Sequence, residues 1–289
     1  MPSRPFIILL LAIPLLTGCM RNRHAERVMD HAEAIIEEHP DSALALMQDL
    51  DGIVLHSSGQ NARRALLLSL AMHKNYIDIA DDSLIAVADG YYSTSDDVRR
   101  RMLASFCHGN VLYNAARYPQ AITRALHAEA DAATLRDTLW LARTNELLAD
   151  IYTDNFMRDE AEYRILNKIT YYKRASRPKN VLYSYLNLAT AYYNNDKCTE
   201  SIHILDSIKS IAQAYKDTIL AYDITSASLL PLNQNRQHQK ALEGFDSLRI
   251  FHPGYEILCR DYIEAANAWH LHRQHLHRLS LRTIKPSSR

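Results

Sequence analysis

The sequence predicts an all-α solenoid of antiparallel helix hairpins, and three observations carry that prediction. Small residues recur at one spacing: Gly109, Ala149, Ala189 and then Leu229 stand 40 residues apart, and Ala121, Ala161, Ser201 and Ala241 repeat the same interval. Self-similarity at such a period marks a stacked array, because one hairpin cannot bury its apolar face alone. Tyrosines follow the small residues, with Tyr113, Tyr152, Tyr192 and Tyr193 placed to fill the space beside a close helix approach. Finally, 7 Gly and 9 Pro in 289 residues, with few stretches that alternate apolar and polar side chains, favour helix over strand.

The chain opens on a stretch that reads as an address. Residues 1–5 carry one positive charge, Arg4, and residues 6–16 form an apolar run. A run of that length rises only about 16 Å as a helix, short of the roughly 30 Å hydrocarbon core of a bilayer. It suits a secretory signal better than a membrane span. Leu16-Thr17-Gly18-Cys19 follows, and it resembles the lipobox of bacterial lipoproteins. That resemblance implies removal of residues 1–18, a lipid on Cys19, and a mature chain tethered to a membrane of the cell envelope. Residues 19–27 are then the lipidated cysteine and a polar spacer. Residues 20–25 lack an acidic run of the kind associated with surface export, so a periplasm-facing anchor is expected.

Two degenerate hairpins are expected between residues 28 and 97. Val28, Ala32, Ile35 and Ile36 fall at helical spacing, and His39-Pro40 stops that helix, since proline disfavours helical backbone in its predecessor. Asp41 or Ser42 is the expected cap of the next helix, whose apolar face is Leu44, Leu46, Met47 and Leu50. After a loop over 52–59, a helix over 62–74 carries Ala65, Leu66, Leu68, Leu70 and Met72. Another, capped around Asp82-Ser83, carries Leu84, Ile85, Val87 and Ala88.

Residues 98–253 then hold four regular repeats of period 40. Asp137-Thr138 and Asp217-Thr218 are N-cap candidates, and Pro119 suits the first turn of a second helix, where its missing N–H costs nothing. Asn114, Asp154, Asn155, Asn194 and Asn195 are placed at the hairpin bends, where Asn and Asp tolerate left-handed backbone. Pro231 lies well inside a first helix and is expected to kink or end it. Residues 254–289 supply a capping helix, which a solenoid needs over its last apolar face, and a His/Arg-rich tail.

Composition narrows the chemistry. Lys+Arg and Asp+Glu are 33 each, which leaves no electrostatic reason to expect nucleic acid. Beyond Cys19, the cysteines Cys107, Cys198 and Cys259 are odd in number, lack metal-like spacing, and read as small packing residues; a Cys107–Cys198 bridge is the less favoured alternative. His270, His272, His275 and His277 sit at spacings that chelate metals on a helix. No carboxylate or thiolate joins them, and Arg273 and Arg278 repel a cation, so no metal or other cofactor is expected. Phosphate loops, nucleophile elbows and zinc-protease helices are absent from the sequence, and no catalytic residue is proposed.

The repeats resemble the tetratricopeptide (TPR) pattern of a Gly/Ala in the first helix and two Ala in the second. Gly109, Ala121 and Ala128 match all three small positions; Ala149 and Ala161 match two, with Lys168 at the third. Ala189 with Ser201 and Leu229 with Ala241 follow more loosely, and Pro253 stands where the family's hairpin-ending proline belongs. The segments Glu37-Glu38-His39-Pro40-Asp41-Ser42-Ala43-Leu44-Ala45-Leu46 and Lys74-Asn75-Tyr76-Ile77-Asp78 are similar to the front end of TPR lipoproteins of the Bacteroidota. The resemblance implies a right-handed solenoid of about six hairpins plus the capping helix. The period of 40 departs from the family's usual 34 and calls for longer helices or linkers.

In such an array the first helices line the inner face, and residues just after the small position point into it. Asn110, Tyr113, Asn114, Asp150, Thr153, Thr190, Tyr193, Asn194 and Asn233 are therefore the candidate groove. They offer amide, carboxyl, hydroxyl and phenol groups to an extended peptide. The cations that a carboxylate clamp needs are absent from these aligned positions. The expected function is a non-enzymatic, membrane-tethered scaffold for an unknown protein or peptide. The alternative is a glycan-binding lipoprotein serving nutrient uptake, which the scarcity of tryptophan (Trp140 and Trp269) disfavours.

Overall fold

The computed structural model describes residues 23–50, 52–248, 267, 268 and 271, and among these every regular element is a helix. They are α1 (23–35), α2 (Pro40–Gln48), α3 (Ser58–Lys74), α4 (Ser83–Tyr92), α5 (Val98–Asn114), α6 (Tyr118–Thr134), α7 (Thr138–Asp154), α8 (Arg158–Arg174), α9 (Pro178–Asn194), α10 (Cys198–Tyr215), α11 (Thr218–Gln234) and α12 (His238–Leu248). Odd-numbered helices hold the first (A) place and even-numbered helices the second (B) place of the sequence repeat. Pro253 and most of the expected capping helix lie outside the described residues.

From α5 to α11 the A and B helices are nearly equal in length, with α10 one residue longer than the rest. Helices α5, α6, α7, α8, α9 and α11 are each 17 residues long. The extra length that separates 40 from 34 is therefore in the helices, and the linkers are only two or three residues. A left-handed residue stands in each linker: Ala116, Arg136, Phe156, Ser176, Asp196, Lys216 and Arg236, all at φ between 53° and 61° and spaced by 20; Tyr76 stands 40 before Ala116. Asn and Asp had been expected to take this role at the helix ends. Instead those residues still turn with the helix, and the left-handed position falls one or two residues later, on side chains that, Asp196 apart, have no intrinsic preference for it.

Backbone hydrogen bonding explains the choice. Ala116 N–H donates to Tyr113 O at 2.8 Å and Arg117 N–H to Leu112 O at 2.9 Å. This pair of bonds satisfies the last carbonyls of the helix and requires left-handed backbone between them. The same pair recurs at Arg136 with Asp137, Ser176 with Arg177, Asp196 with Lys197, and Arg236 with Gln237. Each of these non-glycine residues carries about 1–2 kcal/mol of left-handed strain, which the satisfied carbonyls and the packing of the next helix offset.

Helix starts are unequal. Asp97, Asp137 and Asp217 accept backbone N–H groups of the first turns of α5, α7 and α11. The B helices begin without a side-chain cap. One expectation fails here. Helix α2 is preceded by His39, with no side-chain cap; Pro40 occupies the first turn, so Asp41 is already helical. Pro231 does not end α11, which continues to Gln234 with Pro231 buried beside Leu229 and Asn233. The missing N–H costs one bond, and burial between neighbouring helices outweighs it.

The first compact unit ends at Asn155. In it α2 packs on α3, α3 on α4, α5 on α6 and α6 on α7, while the A helices α3, α5 and α7 touch in succession. Gly109 lets α5 cross α6 at backbone distance: a Cβ there would lie 3.4 Å from Ala125 N, 3.5 Å from Ala121 O and 3.2 Å from Leu147 Cδ2. Ala121, Ala128 and Ala149 are buried around the crossing. Cys107 is a free thiol, pushed up to about 12 by burial, and so is unreactive.

The second unit begins at Phe156. Helix α8 packs on α9, α9 on α10, α10 on α11 and α11 on α12. One core cluster holds Leu182, Ala189, Leu205, Ile208, Ala212, Leu220 and Ile224, and another holds Leu229, Ala241, Phe245 and Leu248. Ala161 is buried, and so is Lys168. With the Asn187 amide turned so that its nitrogen donates to Tyr183 O, its oxygen accepts from Lys168 Nζ at 3.0 Å. Cys198 is a second buried free thiol. Ser201 is fully buried, and its hydroxyl has no hydrogen-bond partner, where Ala121, Ala161 and Ala241 occupy the same position in the other repeats.

Ser201→Ala is expected to raise the urea midpoint, by about 1 kcal/mol, because it removes a desolvated hydroxyl without opening a void; a lower midpoint would show that the hydroxyl is satisfied in solution. Ala116→Gly is expected to stabilise by about 0.5–1 kcal/mol, the strain relieved less the added freedom of the unfolded chain. A loss on that substitution would refute the strain assigned to the linkers.

Candidate functional site

Helix α1 and the turn after it carry Glu26, Asp30, Glu33 and Glu37 at i, i+4, i+7 and i+11, one residue after each member of the buried stripe Ala25, Met29, Ala32 and Ile36. The acidic stripe therefore lies beside the core on the face turned toward the later A helices. Those helices answer with cations. Arg63 of α3 sits among three carboxylates, 3.0 Å from Glu26 and 2.7 Å from Asp30, and also paired with Glu33. Arg100 of α5 lies 3.2 Å from Glu33. Lys74 of α3 and Arg143 of α7 both reach Glu37, at 2.8 Å and 3.2 Å.

Below the Glu37 clasp runs an aromatic ladder across three A helices. His73 of α3 stacks edge-on against Phe106 of α5 at 5.2 Å, and Phe106 against Trp140 of α7 at 5.1 Å. Arg143 lies over the Trp140 ring at 4.6 Å, a cation–π contact that helps hold the guanidinium toward Glu37. Burial, joined by the charges of Lys74 and Arg143, pushes the His73 imidazole down to about 4, so it is neutral at ordinary pH. Burial raises the Glu37 carboxyl, but the hydrogen bonds from Arg143 and Lys74 outweigh that and hold it below its usual value.

The groove residues read from the sequence fall into two sets. In the first unit, Asn110 turns back to Phe106 O, Asn114 reaches Ile79 O, and Thr153 bonds Ala149 O. The Tyr113 hydroxyl donates to Asp154 Oδ2 at 2.6 Å. Burial, that bond, and the charges of Asp154 and Asp150 push the phenol above its ordinary value. In the second unit, Thr190 bonds Leu186 O, Asn233 is buried with its Oδ1 2.6 Å from His238 Nδ1, Tyr193 is half-buried and Asn194 exposed. Most of these groups are thus occupied by their own chain. The cations Arg63, Lys74, Arg100 and Arg143 were missed. A signal existed, since Arg63 and Arg143 share one register position two repeats apart, and Ser69 stands 40 before Gly109.

A second polar cluster is interior. Asp89 of α4, only 3% exposed, lies 2.9 Å from His108 Nδ1 of α5 and 3.0 Å from Arg124 of α6, and accepts from the Ser105 hydroxyl at 3.4 Å. Asp82 closes the cluster, 2.6 Å from Arg117. These residue types are those of a hydrolytic relay, but Ser105 bonds the carboxylate rather than the imidazole. The cluster therefore ties three helices together and activates no nucleophile. Burial raises the Asp89 carboxyl; the His108 hydrogen bond and the charges of Arg124 and His108 more than reverse it.

Among the described residues no group of three or more His, Cys, Asp or Glu is placed to hold a metal, and no helix is long and apolar enough to cross a membrane. Cys19, the histidines from His270 to His277, and Trp269 lie outside the described residues.

No family model and no curated protein matches the chain. Solved structures do. A kinesin-light-chain-type protein of nearly identical TPR-like repeats from Podosopora anserina aligns with TM-score 0.56 at 18% identity, over 68% of this chain and 96% of its own. The apo form of RapI aligns with TM-score 0.60 at 13% identity, over 81% of this chain and 63% of RapI. PilF of Pseudomonas aeruginosa gives 0.54 at 15% identity, over 85% and 98%. The fold is all-α and TPR-like.

Asp89→Asn is expected to destabilise by about 2 kcal/mol at pH 7, because it leaves the part-exposed Arg124 guanidinium and the buried His108 ring without their carboxylate. A depressed carboxyl contributes its stability above its unfolded value and loses it as the pH falls through the folded one. The gap between the wild type and Asp89→Asn in urea midpoint should therefore narrow below about pH 4. A gap independent of pH would refute the ionised cluster.

Proposed function

We propose that this chain is a non-enzymatic interaction scaffold that takes a carboxylate-bearing protein segment on the A-helix face of its first unit, tethered to a membrane through Cys19 on the periplasmic side. One observation carries the reading: four cations from three successive A helices, Arg63, Lys74, Arg100 and Arg143, line one face and are matched by a row of carboxylates from α1. A surface that holds carboxylates in a line suits an acidic extended or helical segment. Glu37 is nearly half exposed and lies past the end of α1, and Lys74 with Arg143 is the pair that an incoming carboxyl group would take over. The resemblance to TPR-like repeat structures supports binding as the role.

A glycan reading asks for open aromatic platforms. On the A-helix face of the first unit the ladder rings Phe106 and Trp140 are 3% and 2% exposed, so these two offer no such platform.

Binding of acidic peptides with a free C-terminus, followed by fluorescence anisotropy, is the test. Arg143→Met is expected to weaken binding roughly tenfold, and Glu37→Gln, which frees the clasp, to strengthen it. If neither the wild type nor Glu37→Gln binds any acidic peptide, the A-helix face is purely structural.

A further inference from the structure

Helix α1 has a third face. At about 100° per residue, Ala25, Met29, Ala32 and Ile36 fill one arc, and Glu26, Asp30, Glu33 and Glu37 the next. Arg23, His24, Arg27 and His31 share a remaining arc of about 100°, on which Glu38, in the turn past the end of α1, is the one described carboxylate. All four are exposed. No described carboxylate pairs with either arginine; Arg27 Nε donates to the Arg23 carbonyl at 3.3 Å, which folds the guanidinium along the helix surface. The acidic stripe next to them is engaged by Arg63, Arg100, Lys74 and Arg143, so it does not neutralise this face.

The place of these residues in the chain points to their partner. Only three residues separate Cys19 from Arg23, and at most about 3.6 Å per residue puts the two within roughly 14 Å. If Cys19 carries lipid, as proposed above, the basic arc is held about one to two Debye lengths from the bilayer surface. We infer that Arg23, His24, Arg27 and His31 form a docking face for anionic phospholipid headgroups. It presses α1 onto the membrane and fixes which side of the first unit meets the bilayer. A lipid on Cys19 holds the chain at the bilayer, and a basic patch beside it is attracted to an anionic surface, which sets the orientation of α1. The acidic stripe of the same helix, repelled by that surface, is kept toward the A-helix face.

Sedimentation with vesicles tests this, using phosphatidylcholine alone and phosphatidylcholine with about one-third phosphatidylglycerol. The full chain is taken as its host produces it, alongside the Cys19→Ser chain. The preference for anionic over neutral vesicles is expected to be roughly tenfold or more, to vanish near 1 M salt, and to fall close to unity in Arg23→Gln/Arg27→Gln. Lys209→Gln/Lys240→Gln, which removes exposed charge elsewhere, is expected to leave it unchanged. A wild-type preference near unity, or one indifferent to Arg23 and Arg27, overturns the inference; so does arginine-dependent binding of duplex DNA without a vesicle preference. Mass spectrometry of Cys19 reads the anchor separately. An unacylated Cys19 with arginine-dependent vesicle binding removes the anchor and keeps the face, whereas an acylated Cys19 with arginine-independent binding does the reverse.

Discussion

Ending a helix every 20 residues without glycine is the constraint on which the rest of the regular array depends. A helix leaves its last carbonyls unsatisfied, and a linker of two or three residues has no room for water or side chains to satisfy them all. The backbone meets the need itself, by turning one residue left-handed and returning two N–H groups into the last turn, as Ala116 and Arg117 do over α5. Since the linker is that short, the next helix must run back along the one before it. The spacing of small residues then follows, because Gly109 and Ala121 have to meet wherever α5 crosses α6.

Charge is distributed by the same geometry. The A helices of the first unit turn polar side chains to one face, and there the carboxylates of α1 meet cations from α3, α5 and α7 over 30 to more than 100 residues of sequence. The partly exposed pairs contribute modestly to stability one by one. As a network they position Lys74 and Arg143 around a single carboxylate. Asp89 with His108 and Arg124 is a different case: it is enclosed, and its cost in desolvation is offset only because every partner is present. One set of charges is accessible to an incoming group, and the other is closed to it.

Each arc of α1 has a separate partner. Its apolar arc belongs to the core, its acidic arc to the later A helices, and its basic arc to solvent beside the segment that carries Cys19. A helix with three such arcs links the fold, the candidate binding face and the proposed membrane contact over a few turns of chain.

Local and periodic information in the sequence determined the all-α class, the hairpin units, the 40-residue repeat and the N-caps Asp137 and Asp217, because helix periodicity and capping depend on residues a few positions apart. It did not reveal the 20-residue spacing of left-handed residues, since Ala116, Arg136, Phe156, Lys216 and Arg236 carry no turn signal of their own; the demand comes from the bonds on either side. Pro231, a local helix breaker by sequence, lies buried inside α11, which continues past it to Gln234. The groove residues were chosen by register alone, and the tertiary structure adds what register does not show: Tyr113 donates to Asp154, and Glu37 is brought from the start of the chain to Arg143. Which charges face one another depends on how helices stack, and that is set by packing among side chains far apart in sequence.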